Sequence, residues 1–144
     1  MHYTSARLRT IKDDGTVLFA KTYGRIEARI KLPAGNGFWP AFWMLPATDD
    51  YGTWAASGEL DIMEARGRLK NRVYGTVHDG QAWPRQKNSG GMYKFPAEED
   101  FTGFHVYALE WEPGLLRWLV DGNVYYETSQ WWSMGQDASE PYPY

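Results

Sequence analysis

The strongest constraint on this chain is a two-residue alternation that recurs along most of its length. In YGRIEARIKLP (23–33), Ile26, Ala28, Ile30 and Leu32 point one way, and Tyr23, Arg25, Glu27, Arg29 and Lys31 point the other. That is the pattern of a half-buried strand. RVYGTVHDG (72–80) alternates again, with Tyr74, Thr76 and His78 opposite Val73 and Val77. FHVYALEWEPGLLRWLVDGNVYYE (104–127) reads as three strands joined by Glu-Pro-Gly and Asp-Gly-Asn turns, the second a strong hairpin signal. GFWPAFWML (37–45) is apolar on both faces, with Trp39 and Trp43 on one side and Phe38, Phe42 and Met44 on the other. Residues 84–103 are polar and rich in glycine, which predicts a long loop with a short helical turn at PAEEDF. No segment sustains a 3.6-residue period and no internal repeat is visible. Short strands separated by turn signals predict an all-β, antiparallel sandwich.

Composition narrows the function classes. The 144 residues suffice for one ordinary domain. A net charge of −3 supplies no basic patch for nucleic acid, and no apolar run approaches a membrane span. There are no cysteines, so thiolate chemistry and disulfides are excluded. Aromatic residues make 17% of the chain, including 8 Trp, more than a core of this size needs. The surplus suggests an exposed aromatic surface for a flat-faced ligand.

One segment breaks the apolar logic of its own strand. SGELDIMEARG (57–67) places Glu59, Asp61 and Glu64 among Leu60, Ile62 and Met63. A helix is disfavoured because Gly58 and Gly67 bracket the segment and its apolar residues gather on no single helical face. As a strand, Glu59 and Asp61 share a face while Leu60 and Ile62 turn to the core. Strict alternation would then bury Glu64, at the high cost of an isolated ionised carboxylate. One extra residue, a β-bulge near Ile62–Met63, returns Glu64 to the face of Glu59 and Asp61. Carboxylates gathered this way repel, so at least one should hold its proton tightly. Glycoside hydrolysis needs that pairing of an ionised and a protonated acid. A solvated acidic strand edge is the simpler alternative.

The segment ELDIMEARG, preceded by YGRIEARIKLPAGNGFWPAFWMLP and followed by YGTVH, resembles the laminarinase-like enzymes of glycoside hydrolase family 16. The likeness runs in order from about Tyr3 to the Asp-Gly hairpin at 121–122. It implies a β-jelly roll of the concanavalin A type with an open cleft for polysaccharide, and retention of anomeric configuration. By the same resemblance Glu59 is the nucleophile, Glu64 the acid/base, and Asp61 the residue that tunes the nucleophile. Lichenases and xyloglucan-active relatives lack the extra residue before the second glutamate. Its presence resembles the laminarinase, agarase and carrageenase branches, and FWPAFWML favours laminarinases among them. The implied activity is that of an extracellular endo-β-1,3-glucanase. Lichenan, agarose or carrageenan are alternative substrates, and a non-catalytic β-glucan-binding protein is an alternative class. The resemblance implies no catalytic cofactor and allows a structural Ca²⁺, for which no ligands are legible.

Supporting residues follow with less force. Trp39, Trp43 and Trp54 are candidates for stacking on pyranose faces, with core packing the alternative for Trp39 and Trp43. Arg25 is placed to donate to sugar hydroxyls or to form an ordinary salt bridge. His78 matches a histidine that the family places beside the acid/base, whereas His2 and His105 have no such support. Trp131 and Trp132 read either way. All-β domains of this kind commonly run to about 200–250 residues, so residues 1–144 are expected to form one partial catalytic domain. A second chain or segment would complete the sandwich, and Phe38, Phe42 and Leu119 are expected on exposed apolar faces.

Overall fold

The computed structural model describes residues 4–133, so His2, Tyr3 and the terminal EPYPY stretch lie outside the described residues. Eight strands follow in order: β1 Gly24–Lys31, β2 Ala41–Met44, β3 Glu59–Glu64, β4 Arg72–Gly80, β5 Gln86–Lys94, β6 Phe104–Glu112, β7 Leu115–Val120 and β8 Asn123–Thr128. They form two antiparallel four-stranded sheets, in the orders β1-β6-β7-β8 and β2-β3-β4-β5. The chain is an antiparallel β-sandwich, as the alternation predicts. One buried cluster joins the sheets: Leu60, Ile62, Met63, Val73 and Val77 from β3 and β4 meet Tyr107, Leu109, Trp111, Leu116, Trp118 and Val120 from β6 and β7. The predicted hairpins at 112–115 and 120–123 are both present. Among the described residues, no helix is long and apolar enough to cross a membrane.

Four expectations are corrected. Tyr23 does not follow the alternation of β1. Its left-handed backbone (φ 64°) precedes the strand, and its ring meets Trp111 edge-on at 5.1 Å. Residues 86–94 are a strand, not a loop, and pair with β4 over its whole length. Glycine masked the signal, yet glycine is what this strand requires. A Cβ on Gly90 would lie 2.3 Å from the Gly75 carbonyl oxygen, and one on Gly91 would lie 2.4 Å from Tyr126 Cβ. PAEEDF forms turns with no helix, the Glu99 amide donating to the Pro96 carbonyl. Leu119 is buried and Phe42 partly buried against the core, whereas Phe38 is exposed. Trp131 proves to be a core residue.

The bulge in β3 is present. Against β4, Asp61 pairs Thr76 and Glu64 pairs Tyr74, so Ile62 and Met63 together face the single residue Gly75. Against β2, Met63 pairs Phe42 and Asp61 pairs Trp43, which makes Ile62 the residue without a partner on that side. Both side chains are buried. The opposite sheet fixes the bulge: Trp118 of β7 is fully buried, and its indole N–H donates to the Asp61 carbonyl at 2.7 Å. Gly75 makes room for that ring, since a Cβ there would lie 2.1 Å from Trp118 Cδ1.

Gly75→Ala should therefore destabilise the chain by about 3 kcal/mol, the upper end of overpacking costs. Chemical denaturation checks this, and an unchanged midpoint would show that the ring has somewhere else to go.

Candidate active site

The site lies on the face of the β2-β3-β4-β5 sheet turned away from the core. β3 is paired on both sides, so the acids sit mid-sheet. Glu59 stands beside His78, Asp61 between Trp43 and Thr76, and Glu64 between Ala41 and Tyr74. His78, Thr76 and Tyr74 alternate along β4 and share a face, so the three acids opposite them share it too. Glu59 and Glu64 are half-buried, while Asp61 is buried to 3% exposure, deeper than a solvated strand edge would be.

Each acid has a dedicated partner. Trp54 donates its indole N–H to Glu59 Oε2 from the loop before β3. Trp39 donates its indole N–H to Glu64 Oε1 at 2.8 Å. Asp61 Oδ2 lies 3.0 Å from His78 Nε2, and the His78 ring is tilted against Trp54 at 5.6 Å. Trp39 reaches Glu64 because the chain before β2 continues its pairing beyond Glu64: Ala65 N–H donates to Pro40 O, Gly67 N–H to Phe38 O, and Gly35 N–H to Gly67 O. Gly67 allows that approach, as a Cβ there would lie 2.3 Å from the Gly35 oxygen.

Electrostatics push both glutamates the same way. Burial, then the charge of Asp61, pushes Glu59 above the ordinary glutamate range, and the Trp54 N–H and His78 act against the shift. Burial and Asp61 push Glu64 up as well, opposed by the Trp39 N–H, His78 and Arg66. The hydrogen bond to Asp61 raises His78. The site thus holds two carboxyl groups with raised proton affinity around a buried aspartate that is tied to a histidine.

The sequence-predicted residues divide clearly. Glu59, Asp61, Glu64, Trp39, Trp43, Trp54 and His78 share the site face or its loops. Trp39 is 64% exposed and Trp54 36% exposed, so neither is a core residue; Trp43 is half-buried, with the Arg7 guanidinium 4.8 Å from its ring. Arg25 belongs elsewhere. It sits on β1 in the other sheet, bound to Glu27 at 2.7 Å and Glu110 at 2.6 Å, in a row that continues through Arg117 to Glu127. Alternation placed it on a polar face but did not reveal which sheet owned that face. His105 is held by Asp121 and the Asp100 carbonyl, far along the chain from the acids and in the other sheet. Two site residues escaped the sequence reading: Arg66, and Tyr74 as a wall beside Glu64. Tyr74 was visible on the face of His78; Arg66 lies beyond the end of β3, where alternation carries no information. Among the described residues, no three His, Asp or Glu side chains are gathered for a metal ion.

The family model for Glycosyl hydrolases family 16 matches residues 3–143. The chain belongs to that family. It is 48% identical over 134 residues to the glucan endo-1,3-beta-glucosidase A1 of Niallia circulans, covering 91% of this chain and 19% of the relative. It is 46% identical over 128 residues to the beta-glucanase of Rhodothermus marinus, covering 86% and 42%. The X-ray structure of the laminarinase from Rhodothermus marinus superposes with a TM-score of 0.67 at 43% identity, over 76% of this chain and 44% of that one. The fold is therefore the family 16 jelly-roll sandwich. The chain spans less than half the length of these relatives.

The raised acids carry a stability consequence. A carboxyl whose folded pKa exceeds its unfolded value of about 4.3 loses its proton first in the unfolded chain. Stability then falls as pH rises from the unfolded value through the folded one. Glu59→Gln and Glu64→Gln should each raise the melting temperature at pH 7 by about 2–4 °C. The gain should vanish in acid, where both states are protonated. A lower melting temperature at pH 7 for both variants would contradict these directions.

Proposed function

We propose that this chain carries the catalytic centre of a retaining endo-glycosidase acting on internal β-1,3 linkages of β-glucan, with mixed β-1,3/1,4 glucan as the nearest alternative. The observation that carries the reading is the bulged strand. It sets Glu59 and Glu64 on one face around the buried Asp61, each glutamate with its own indole donor.

The chemistry follows from those partners. Glu59 as carboxylate attacks the anomeric carbon while Glu64 gives its proton to the departing glycosidic oxygen, leaving a glycosyl ester on Glu59. Glu64, now ionised, accepts the Trp39 N–H and then takes a proton from the water that cleaves the ester. Two inversions at one carbon retain configuration. Burial and the negative charge of Asp61 favour the proton that Glu64 donates in the first step, and the Trp54 N–H stabilises Glu59 once it is ionised. The same opposed causes act on both glutamates, and the roles follow from their places in the row. A separation of about 5–5.5 Å between the two carboxyls suits this route. No step requires a cofactor. The flat, weakly polar faces of Trp39 and Trp54 suit pyranose rings. A polymer substrate would place the enzyme outside the cell.

Release of reducing sugar from laminarin, lichenan and agarose, measured side by side, tests the reading. Laminarin should be cut fastest, and Glu59→Gln should abolish cutting, by about a thousandfold or more, while glucan binding persists. Glu64→Ala should regain turnover of an activated aryl glycoside when azide is added, because the ester on Glu59 still forms. Glucan binding without any hydrolysis by the unsubstituted chain would favour a binding protein. Hydrolysis that survives in Glu59→Gln would remove the nucleophile from its role.

A further inference from the structure

On the Glu64 side of the site lies a pocket of about 150 Å³, lined by Trp39, Glu64, Ala65, Arg66, Tyr74 and Thr76. Its position gives it a chemical meaning that rests on the glycosidase reading above. The acid/base hands its proton to the oxygen joining two sugars, so a cavity against that acid receives the sugar that leaves. The same cavity must later hold whatever attacks the ester on Glu59.

Arg66 is the unusual member of this pocket. Its guanidinium lies 5.8 Å from the ring centres of both Trp39 and Tyr74. It is exposed and, among the described residues, forms no salt bridge. A planar cation lying against two rings keeps its donor edge free for a ligand. Neutral pyranose hydroxyls are suitable acceptors. The β-glucan of that reading offers only such hydroxyls.

We propose that Arg66 is the specificity residue for a neutral pyranose in this pocket. That pyranose is the leaving-group sugar in the first half-reaction and an acceptor sugar competing with water in the second. In the transfer step an acceptor hydroxyl attacks the anomeric carbon of the glycosyl–Glu59 ester. The bond from that carbon to the Glu59 oxygen breaks, a glycosidic bond forms, and the hydroxyl proton passes to Glu64. Nothing is oxidised or reduced.

The test uses the whole chain with an aryl β-laminaribioside donor and laminaribiose as acceptor, and reads the ratio of transfer to hydrolysis products. In the unsubstituted chain that ratio should rise with acceptor and saturate. In Arg66→Met the acceptor concentration for half-saturation should rise tenfold or more, and Arg66→Lys should fall between. A merely structural role for Arg66 changes total turnover but leaves the partition ratio unmoved. An unchanged ratio in Arg66→Met therefore overturns the proposal. Failure of the unsubstituted chain to release the aryl group overturns the glycosidase reading and the proposal with it. Release of the aryl group with no transfer at any acceptor concentration overturns the acceptor role alone.

Discussion

A single hydrogen bond between the two sheets anchors the chemistry of this protein. The Trp118 indole donates to the carbonyl of Asp61 at the point where β3 abandons its regular register. A bulge disrupts ladder bonding, and a buried carbonyl left without a donor costs about 1–3 kcal/mol. Trp118 supplies the donor from the core side, and Gly75 supplies the space. The core thus stabilises an irregularity that would otherwise be a defect.

From that irregularity the arrangement of acids follows. Two consecutive core residues, Ile62 and Met63, interrupt the alternation and send both Asp61 and Glu64 outward. β3 is hydrogen-bonded to a neighbour on both sides, which holds the carboxyls in place against their mutual repulsion. Half-burial raises the proton affinity of both glutamates, and two indole donors oppose that effect from opposite ends of the row. Stability is given up locally to hold groups whose charges conflict.

Much of this was legible in the residues, for a reason specific to carboxylates. A Val or Leu at position 64 would fit either face of a strand, but an ionised glutamate does not fit the core, so the chain had to bulge. The three-strand meander was equally plain, because Asp-Gly-Asn and Glu-Pro-Gly leave few other conformations. β5 was hidden because glycine reads as a loop unless the neighbouring backbone that demands it is known. Arg25 was misplaced because a two-residue period reports which face of a strand is polar, never which sheet the strand joins. The indole donors were unreadable as well. Trp39 and Trp54 offered large flat rings in the sequence, and only the folded loops aim their N–H groups at Glu64 and Glu59.

The central claim is that the extra residue in β3, and no catalytic atom of its own, puts Glu64 in place. Laminarin hydrolysis by a Met63-deletion variant, measured on protein whose melting transition remains cooperative, tests it most directly. Without the extra residue Glu64 turns toward the position that Met63 fills in the core, and hydrolysis should disappear. Hydrolysis within tenfold of the unsubstituted chain would contradict the account, because Glu64 would then reach its position without the bulge.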